Sequence, residues 1–108
     1  MELINQYDII LVNLDPTVGS EMKKTRPYVV LSPNEMNKHL QTLVIAPITS
    51  SSKPYPTRVA VMRTNTKGFI VIDQIRTINK LRVVKILDHL HIDEINKVKA
   101  VLQETFVD

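Results

Sequence analysis

Two short apolar runs, Tyr28-Val-Val-Leu-Ser32 and Leu43-Val-Ile-Ala-Pro-Ile48, lie close together in this chain of 108 residues. Both are rich in β-branched side chains and too short for core helices, so each predicts a β-strand. The first run directly follows a polar segment, Asp15-Pro-Thr-Val-Gly-Ser-Glu-Met-Lys-Lys-Thr-Arg-Pro27. That segment exceeds an ordinary hairpin loop, and long polar loops in small domains often bind ligands.

Strand signals continue on both sides of these runs. The predicted strands are Tyr7–Leu14, Pro27–Ser32, Thr42–Thr49, Thr57–Arg63, Gly68–Arg76 and a shorter one at about Val83–Leu87. Pro47 cannot donate a hydrogen bond to a neighbouring strand, so the third strand is expected at a sheet edge or a bulge. The stretch 68–75 carries apolar residues on both faces, which predicts that both faces are covered.

A short helix is predicted after the second strand. Ser32-Pro-Asn-Glu35 matches a helix start in which Ser32 caps, Pro33 occupies the first turn and Glu35 reaches back. The helix is expected to end near His39 or Leu40.

A second, amphipathic helix is predicted at the C-terminus. Asp93 is its expected capping residue, with Glu94 in the first turn. Its apolar stripe recurs at helical spacing and is expected to pack on the sheet; it comprises Ile95, Val98, Leu102 and Phe106.

Five or six short strands with two helices predict a mainly β (α+β) fold, a small and partly open barrel. The length of the chain fits one domain, residues 1–108. No apolar run approaches the ~20 residues that a membrane helix needs. The N-terminus lacks the pattern of a secretory signal, and the absence of cysteine agrees with a reducing compartment, so a cytoplasmic location is expected.

The positive charges are concentrated locally. The net charge is only +3, but Lys23, Lys24 and Arg26 crowd the first loop. A second cluster, Arg76, Lys80, Arg82 and Lys85, spans ten residues without an acid. Local clusters of this kind favour binding to a polyanion, although solubility alone is an equally good explanation of the total charge.

Arg26 is the strongest candidate for a site residue. Pro27 restrains Arg26 to extended geometry, and the strand beyond fixes its base. The second apolar strand ends in the hydroxyls of Thr49 and Ser50. A planar guanidinium beside small hydroxyls can bind a phosphate, because its N–H fork matches the oxyanion. Gly19 is expected to turn the preceding loop with positive φ.

Asp73 shares strand parity with Phe69, Val71 and Ile75, so it is expected to face an apolar side and to need a partner there. A structural Asp–Arg pair is favoured for this carboxylate over a general base or a residue that orients Arg26. His39, His89 and His91 lack the spacing of a metal site. The sequence therefore predicts neither a metal centre nor a cofactor.

Five blocks occur in the order found in the MazF/PemK family of toxin endoribonucleases. The blocks are Asp15-Pro-Thr-Val-Gly-Ser-Glu, Thr25-Arg-Pro-Tyr-Val-Val-Leu-Ser, Ala46-Pro-Ile-Thr-Ser, Tyr55-Pro-Thr-Arg-Val and Asp73-Gln-Ile-Arg-Thr. The chain resembles this family over nearly its whole length, from Tyr7 to Phe106.

The resemblance implies an SH3-like barrel, a homodimer, and metal-independent, sequence-specific cleavage of single-stranded RNA. It also implies a cognate antitoxin whose acidic, disordered segment binds along the RNA groove. Contact with DNA is expected only through the complex with the antitoxin, and no membrane partner is expected.

The family's functional residues map onto positions of this chain. Arg26 and Thr49 match its catalytic arginine and threonine, and Ser50 follows in the same motif. Ser20 and Glu21 match loop positions that contact RNA, and Gln74 matches a residue that reads a base. The predicted RNA-binding set is Ser20, Glu21, Lys24, Ser50, Asp73, Gln74 and Arg76.

The chain departs from the family at several positions. Tyr7-Asp8 stands where a glycine and an acidic residue usually open the first strand. Some members carry histidine at the position of Ser20 and arginine at that of Val71, and the common Glu-Gln of the loop is Glu21-Met22. These departures leave the general base open between Asp73 and Glu21.

Two other functions are compatible with a small barrel. A gyrase-poisoning toxin of the CcdB type acts through a C-terminus bearing tryptophan, whereas this chain has no Trp and ends in Phe106-Val-Asp. A non-catalytic SH3-like module would bind nucleic acid or peptide without cleavage. The five ordered blocks and the Arg26/Thr49 pair favour the enzyme over both.

Overall fold

A computed structural model describes residues 3–14, 25–50, 56–62 and 66–107, and the structural statements below concern these residues. The strands are β1 Asp8–Asn13, β2 Thr25–Val30, β3 Thr42–Thr49, β4 Arg58–Met62, β5 Lys67–Val71, β6 Arg76–Asn79 and β7 Val83–His89. The helices are α1 Asn34–His39 and α2 Ile92–Phe106, with single 3-10 turns at Ile72–Gln74 and Lys80–Arg82. The mainly β class and both predicted helices are confirmed. The loop 15–24 with its expected turn at Gly19 lies outside the described residues.

All strand pairs are antiparallel, in the order β4-β5-β3-β2-β1-β7, and β6 also pairs with β3. β3 is therefore central, and the expectation of an edge strand around Pro47 is wrong. On one side of β3 the pairing with β6 ends at Ile45 and the pairing with β5 begins at Ile48. Pro47 lies in this interval, so no ladder hydrogen bond is lost through its missing N–H.

Alternating side chains place a core on each face of the sheet. One core contains Ile9, Val29, Ala46, Ile48, Ile70 and Val98 of α2. The other contains Ile10, Val12, Tyr28, Val30, Ile45 and Ile78, with Val83 and Ile86 packed against it. Ile78 is on β6 and Ile86 on β7, which three strands separate in the sheet order. Their side chains meet in one cluster because the sheet curls, as in the predicted partly open barrel.

The C-terminal helix begins slightly earlier than predicted. Ile92 is its first residue, so the expected cap at Asp93 is wrong. Glu94 explains the start, because its Oε1 accepts a hydrogen bond of 2.8 Å from the N–H of His91. Its Oε2 accepts a 3.1 Å bond from the N–H of Met62, which ties α2 to β4. Phe106 is 58% exposed and does not complete the predicted buried stripe.

The short helix begins one residue later than predicted. Its capping position is Pro33, and Ser32 does not cap it. The Ser32 hydroxyl instead donates to Asn37 Oδ1 at 2.6 Å and accepts from the N–H of Val44 at 3.1 Å. Both Ser32 and Asn37 are buried, so this network satisfies polar groups that would otherwise destabilise the core. Neither α-helix in the described ranges has the length and apolarity that crossing a bilayer requires.

The predicted strand Gly68–Arg76 is two strands. β5 ends at Val71, the chain makes a 3-10 turn at Ile72–Gln74, and β6 begins at Arg76. The N–H of Ile72 bonds to the carbonyl of Thr57 at 3.1 Å, which holds the turn against the start of β4. Because of this turn, the alternation of side chains along β5 does not continue to Asp73, which is exposed. The expectation of an apolar environment for its carboxylate is therefore wrong.

Tyr7 has a left-handed backbone, with φ 70°. This conformation lets its N–H donate to the carbonyl of Val30 at 2.7 Å while its own carbonyl accepts from Leu90 at 3.0 Å. Its ring packs against the core beneath α2, and burial raises the pKa of the phenol through desolvation. A glycine is usual at this position in the family that the sequence resembles, and the positive φ explains why.

Replacing Tyr7 by glycine should therefore destabilise the protein less than replacing it by alanine. Both variants lose the ring, but only alanine retains the strain of a left-handed residue, which costs about 1–2 kcal/mol. Glycine adds entropy to the unfolded chain, so we expect a net difference of up to about 1 kcal/mol in its favour. Urea unfolding of the two variants measures it, and a Tyr7→Gly protein less stable than Tyr7→Ala would contradict the assignment.

Candidate active site

The start of β2 and the end of β3 bring the two strongest candidates together. Tyr28 pairs with Pro47, and these strands are antiparallel. This pair ends the ladder, and Arg26 and Thr49 each lie two residues beyond it, on the same side. Arg26 is exposed, Thr49 is half-buried, and both line the same two clefts. The structure therefore brings Arg26 and Thr49 to the same clefts.

The two clefts share their central part. The first, of about 360 Å³, is lined by Arg26, Pro27, Ile48, Thr49, Ser50 and Lys67. The second, of about 280 Å³, is lined by Arg26, Pro47, Ile48, Thr49, Arg58, Val71 and Gln74. Three residues line both clefts and form their shared wall: Arg26, Ile48 and Thr49. The clefts extend from this shared wall toward different residues.

The other predicted site residues separate into three groups. Ser50 lines the first cleft and Gln74 the second. Asp73 and Arg76 are exposed, and neither is among the described residues that line the clefts. The remaining predicted residues, Ser20, Glu21 and Lys24, lie outside the described residues.

Two cations that the sequence reasoning did not select also line the clefts. Lys67, the first residue of β5, is exposed in the first cleft. Arg58, on β4, is half-buried in the second. Arg58 is the cross-strand partner of Val71, the position at which some members of the resembled family carry arginine. A guanidinium is thus supplied to this part of the cleft from the neighbouring strand.

The described walls of both clefts carry positive charge and no carboxylate. Arg26, Arg58 and Lys67 are the cations among these residues. With the hydroxyls of Thr49 and Ser50, they offer hydrogen-bond donors that suit a phosphate. The predicted second basic cluster is partly structural, because Lys80 donates to the carbonyl of Asn37 and Arg82 to that of Asn13 at 3.4 Å.

Two of the three histidines, His39 and His89, each place a ring nitrogen beside one carboxylate. His89 Nδ1 lies 2.8 Å from Asp8 Oδ1, and His39 Nε2 lies 3.5 Å from Glu35 Oε1. Throughout the described ranges, no three His, Cys, Asp or Glu side chains are grouped as metal ligands would be. These contacts join β1 to β7 and stabilise α1, and the clefts lie elsewhere.

Comparison with known proteins identifies similar sequences. Residues 5–106 match the sequence model of a family described as PemK-like, MazF-like toxins of type II toxin–antitoxin systems. The chain is also 39% identical, over 71 residues, to the endoribonuclease toxin MazF of Escherichia coli strain K12. This alignment covers 66% of the chain and 64% of the E. coli protein, somewhat less than two-thirds of that relative.

Solved structures share the fold at lower sequence identity. A MazF crystal structure from Deinococcus radiodurans superposes with a TM-score of 0.82 at 24% identity, covering 100% of both chains. A mycobacterial endoribonuclease, solved in complex with its cognate antitoxin, gives a TM-score of 0.82 at 20% identity. That superposition covers 96% of this chain and 95% of the mycobacterial one. The similarity extends the family's fold to the complete sheet and both helices.

Proposed function

Since the chain belongs to the family of PemK-like, MazF-like toxins of type II toxin–antitoxin systems, we propose that it is an endoribonuclease that cleaves single-stranded RNA. The observation that carries this proposal is the position of Arg26 and Thr49 on the wall that both clefts share. A strand of RNA crossing that wall would present one phosphate to the guanidinium and the hydroxyl together.

In the proposed reaction the RNA supplies the nucleophile. The 2′-OH attacks the adjacent phosphorus as its proton passes to a base, and the P–O5′ bond breaks as the 5′ oxygen gains a proton. The products are a 2′,3′-cyclic phosphate and a 5′-OH. Arg26 would stabilise the charge that develops on the phosphoryl oxygens, and Thr49 would donate a hydrogen bond to one of them.

The general base of the proposed reaction is one of two carboxylates, Asp73 or Glu21. A general base must come within hydrogen-bond reach of the proton it removes, directly or through one water. Asp73 is exposed beside the lining residue Gln74, and Glu21 lies outside the described residues, so both carboxylates stay candidates for the base. Gln74 lines the second cleft and is proposed to read a base there through its amide.

The proposed partners follow from the charge and shape of the surface. An acidic, disordered segment of an antitoxin would compete with RNA for the cations of the clefts. A homodimer would cover apolar side chains that are exposed in one copy. Met36 on α1 is 39% exposed, Leu40 directly after α1 is 44% exposed, and Leu81 in the second 3-10 turn is 84% exposed. We also propose a cytoplasmic location, where RNA is available and a chain without cysteine needs no oxidation.

A short RNA oligonucleotide tests the proposed chemistry directly. We expect cleavage to continue in excess EDTA, because the substrate's own 2′-OH is the nucleophile and arginine stabilises the charge. A single 2′-deoxy substitution at the mapped cleavage nucleotide should abolish cleavage there. Mass spectrometry of the fragments should detect a 2′,3′-cyclic phosphate or its opened form.

The control is the Arg26→Ala protein purified in parallel, which reveals any contaminating ribonuclease. Fragments with a 5′-phosphate and a 3′-OH, or an absolute requirement for added Mg²⁺, would show that the proposed chemistry is wrong.

A further inference from the structure

The two clefts extend from the shared wall toward different cations. Lys67 and Ser50 line only the first cleft, and Arg58 and Gln74 line only the second. Arg58 lies at the start of β4 and Lys67 at the start of β5, and these strands are antiparallel. Arg58 pairs with Val71, whereas Lys67 pairs with Met62 at the opposite end of the β4–β5 ladder. The cations are therefore separated along the ladder.

Arg58 is held in place by its surroundings. It is half-buried, and the carbonyl of the preceding residue, Thr57, accepts a 3.1 Å hydrogen bond from Ile72. That bond fixes the start of β4 against the 3-10 turn that carries Gln74. A half-buried side chain on a backbone fixed in this way has less conformational freedom to lose on binding than a fully exposed lysine, so Arg58 suits a fixed anionic group.

The charge pattern matches a single strand of RNA. Each nucleotide contributes one phosphate, so a strand with one phosphate at the Arg26/Thr49 wall must carry further phosphates on both sides. We infer that Arg58 binds a phosphate on one side of the scissile phosphate and that Lys67 binds a phosphate on the other side. This inference rests on the proposed function and adds two positioning contacts to it.

The consequence is a defined path for the RNA. The strand runs from Lys67, across Arg26 and Thr49, to Arg58, and the base beside the Arg58 phosphate lies next to Gln74. The two outer cations fix the scissile phosphate at the central guanidinium, so they contribute to the rate constant through orientation as well as to affinity.

The test measures how variants of the protein cleave RNAs that carry single neutral linkages. The substrates are one cleavable oligonucleotide and a series in which a single methylphosphonate replaces one non-scissile phosphate near the cleavage point. Arg58→Gln and Lys67→Gln should each lower kcat/KM for the unmodified substrate about 10- to 100-fold, the effect of losing a charged hydrogen bond. Each loss should disappear on the substrate whose neutral linkage lies where that side chain binds.

The two side chains should respond to neutral linkages on opposite sides of the scissile phosphate. Arg58→Lys should retain more activity than Arg58→Gln, because it keeps the charge although it loses the planar fork. Lys38→Gln is the control: Lys38 is exposed on α1, which precedes the other end of β3, and its removal should change kcat/KM less than twofold. Thermal melting checks that each variant is folded.

Several outcomes would overturn the inference. It is wrong if the losses of kcat/KM in Arg58→Gln and Lys67→Gln disappear with the same neutral linkage. It is also wrong if no neutral linkage changes either loss. If Arg58→Gln fails to fold, the series of neutral linkages is tested with the wild-type protein alone. Cleavage that is slowed by neutral linkages on only one side of the scissile phosphate would then contradict the inference. A wild-type protein that does not cleave the unmodified RNA overturns the proposed function instead, and that baseline is measured first.

Discussion

Replacing Arg26 by alanine should lower the rate constant of RNA cleavage at least ~100-fold, the loss typical for a donor that stabilises an oxyanion. Arg26 lines both clefts from an exposed position at the start of β2, so its side chain contributes little to the core. RNA affinity should fall much less, because Arg58 and Lys67 still hold the phosphates on either side. Single-turnover cleavage and equilibrium binding of an uncleavable 2′-deoxy analogue separate the two effects.

Companion variants make the assignment specific. Arg26→Lys should restore only part of the rate, because a point charge does not reproduce two parallel N–H donors. Thr49→Ala should lose less than Arg26→Ala, because it removes one neutral donor. Lys38→Ala removes a charge at the far end of β3 and should leave the rate constant unchanged. Wild-type cleavage by Arg26→Ala would move the site away from the shared wall of the clefts.

Replacing Gly68 by alanine should damage both stability and activity, although Gly68 contacts no substrate in the proposed reaction. A Cβ on Gly68 would lie 3.0 Å from the carbonyl carbon of Thr49 and closer still to its oxygen. Its φ of 151° adds strain for any other residue. Overpacking and backbone strain together should cost about 2 kcal/mol or more. The backbone of Thr49 must shift to relieve the contact, and a displacement near 1 Å can lower a rate ~100-fold.

A matched core variant separates these two effects. Val61 is the cross-strand partner of Gly68 and is 1% exposed. Val61→Ala should destabilise the protein by a comparable amount, about 2 kcal/mol, through a cavity. Thr49 pairs with Phe69 and Val61 pairs with Gly68, so the side chains of Thr49 and Val61 face opposite sides of the sheet. The kcat of Val61→Ala should therefore stay near the wild-type value at a temperature where both variants are folded. Equal kcat values for Gly68→Ala and wild type would show that the close approach does not position Thr49.

Local chemistry in the sequence predicted much of the sheet. The third strand was placed at Thr42–Thr49, and the structure has the same bounds. The alternation of β-branched side chains and the turn residues beside them are local signals, so they predict a strand without knowledge of its partner strands. Arg26 was selected because Pro27 and the following strand restrain it, and this restraint is also local.

Two of the expectations that were wrong needed pairing information. The missing donor of Pro47 predicts an edge or a bulge, but the structure places Pro47 in a central strand, where one neighbour of β3 replaces another. An apolar environment for Asp73 follows only if side chains keep alternating between the two faces of a strand through residues 72–74, where the chain makes a 3-10 turn. The Ile72–Thr57 hydrogen bond that supports this turn joins it to the residue before β4, which is distant in sequence.

The sequence by itself determined most of the strands, the two helices, and the guanidinium and hydroxyl at the ends of β2 and β3. Only the tertiary structure decided which other side chains share their clefts. Arg58 reaches the site because β4 pairs with β5 in one register, and Lys67 because β5 pairs with the end of β3. A single glycine permits that second approach beside Thr49. Register depends on contacts between residues distant in sequence, and each one-residue shift turns every side chain to the other face.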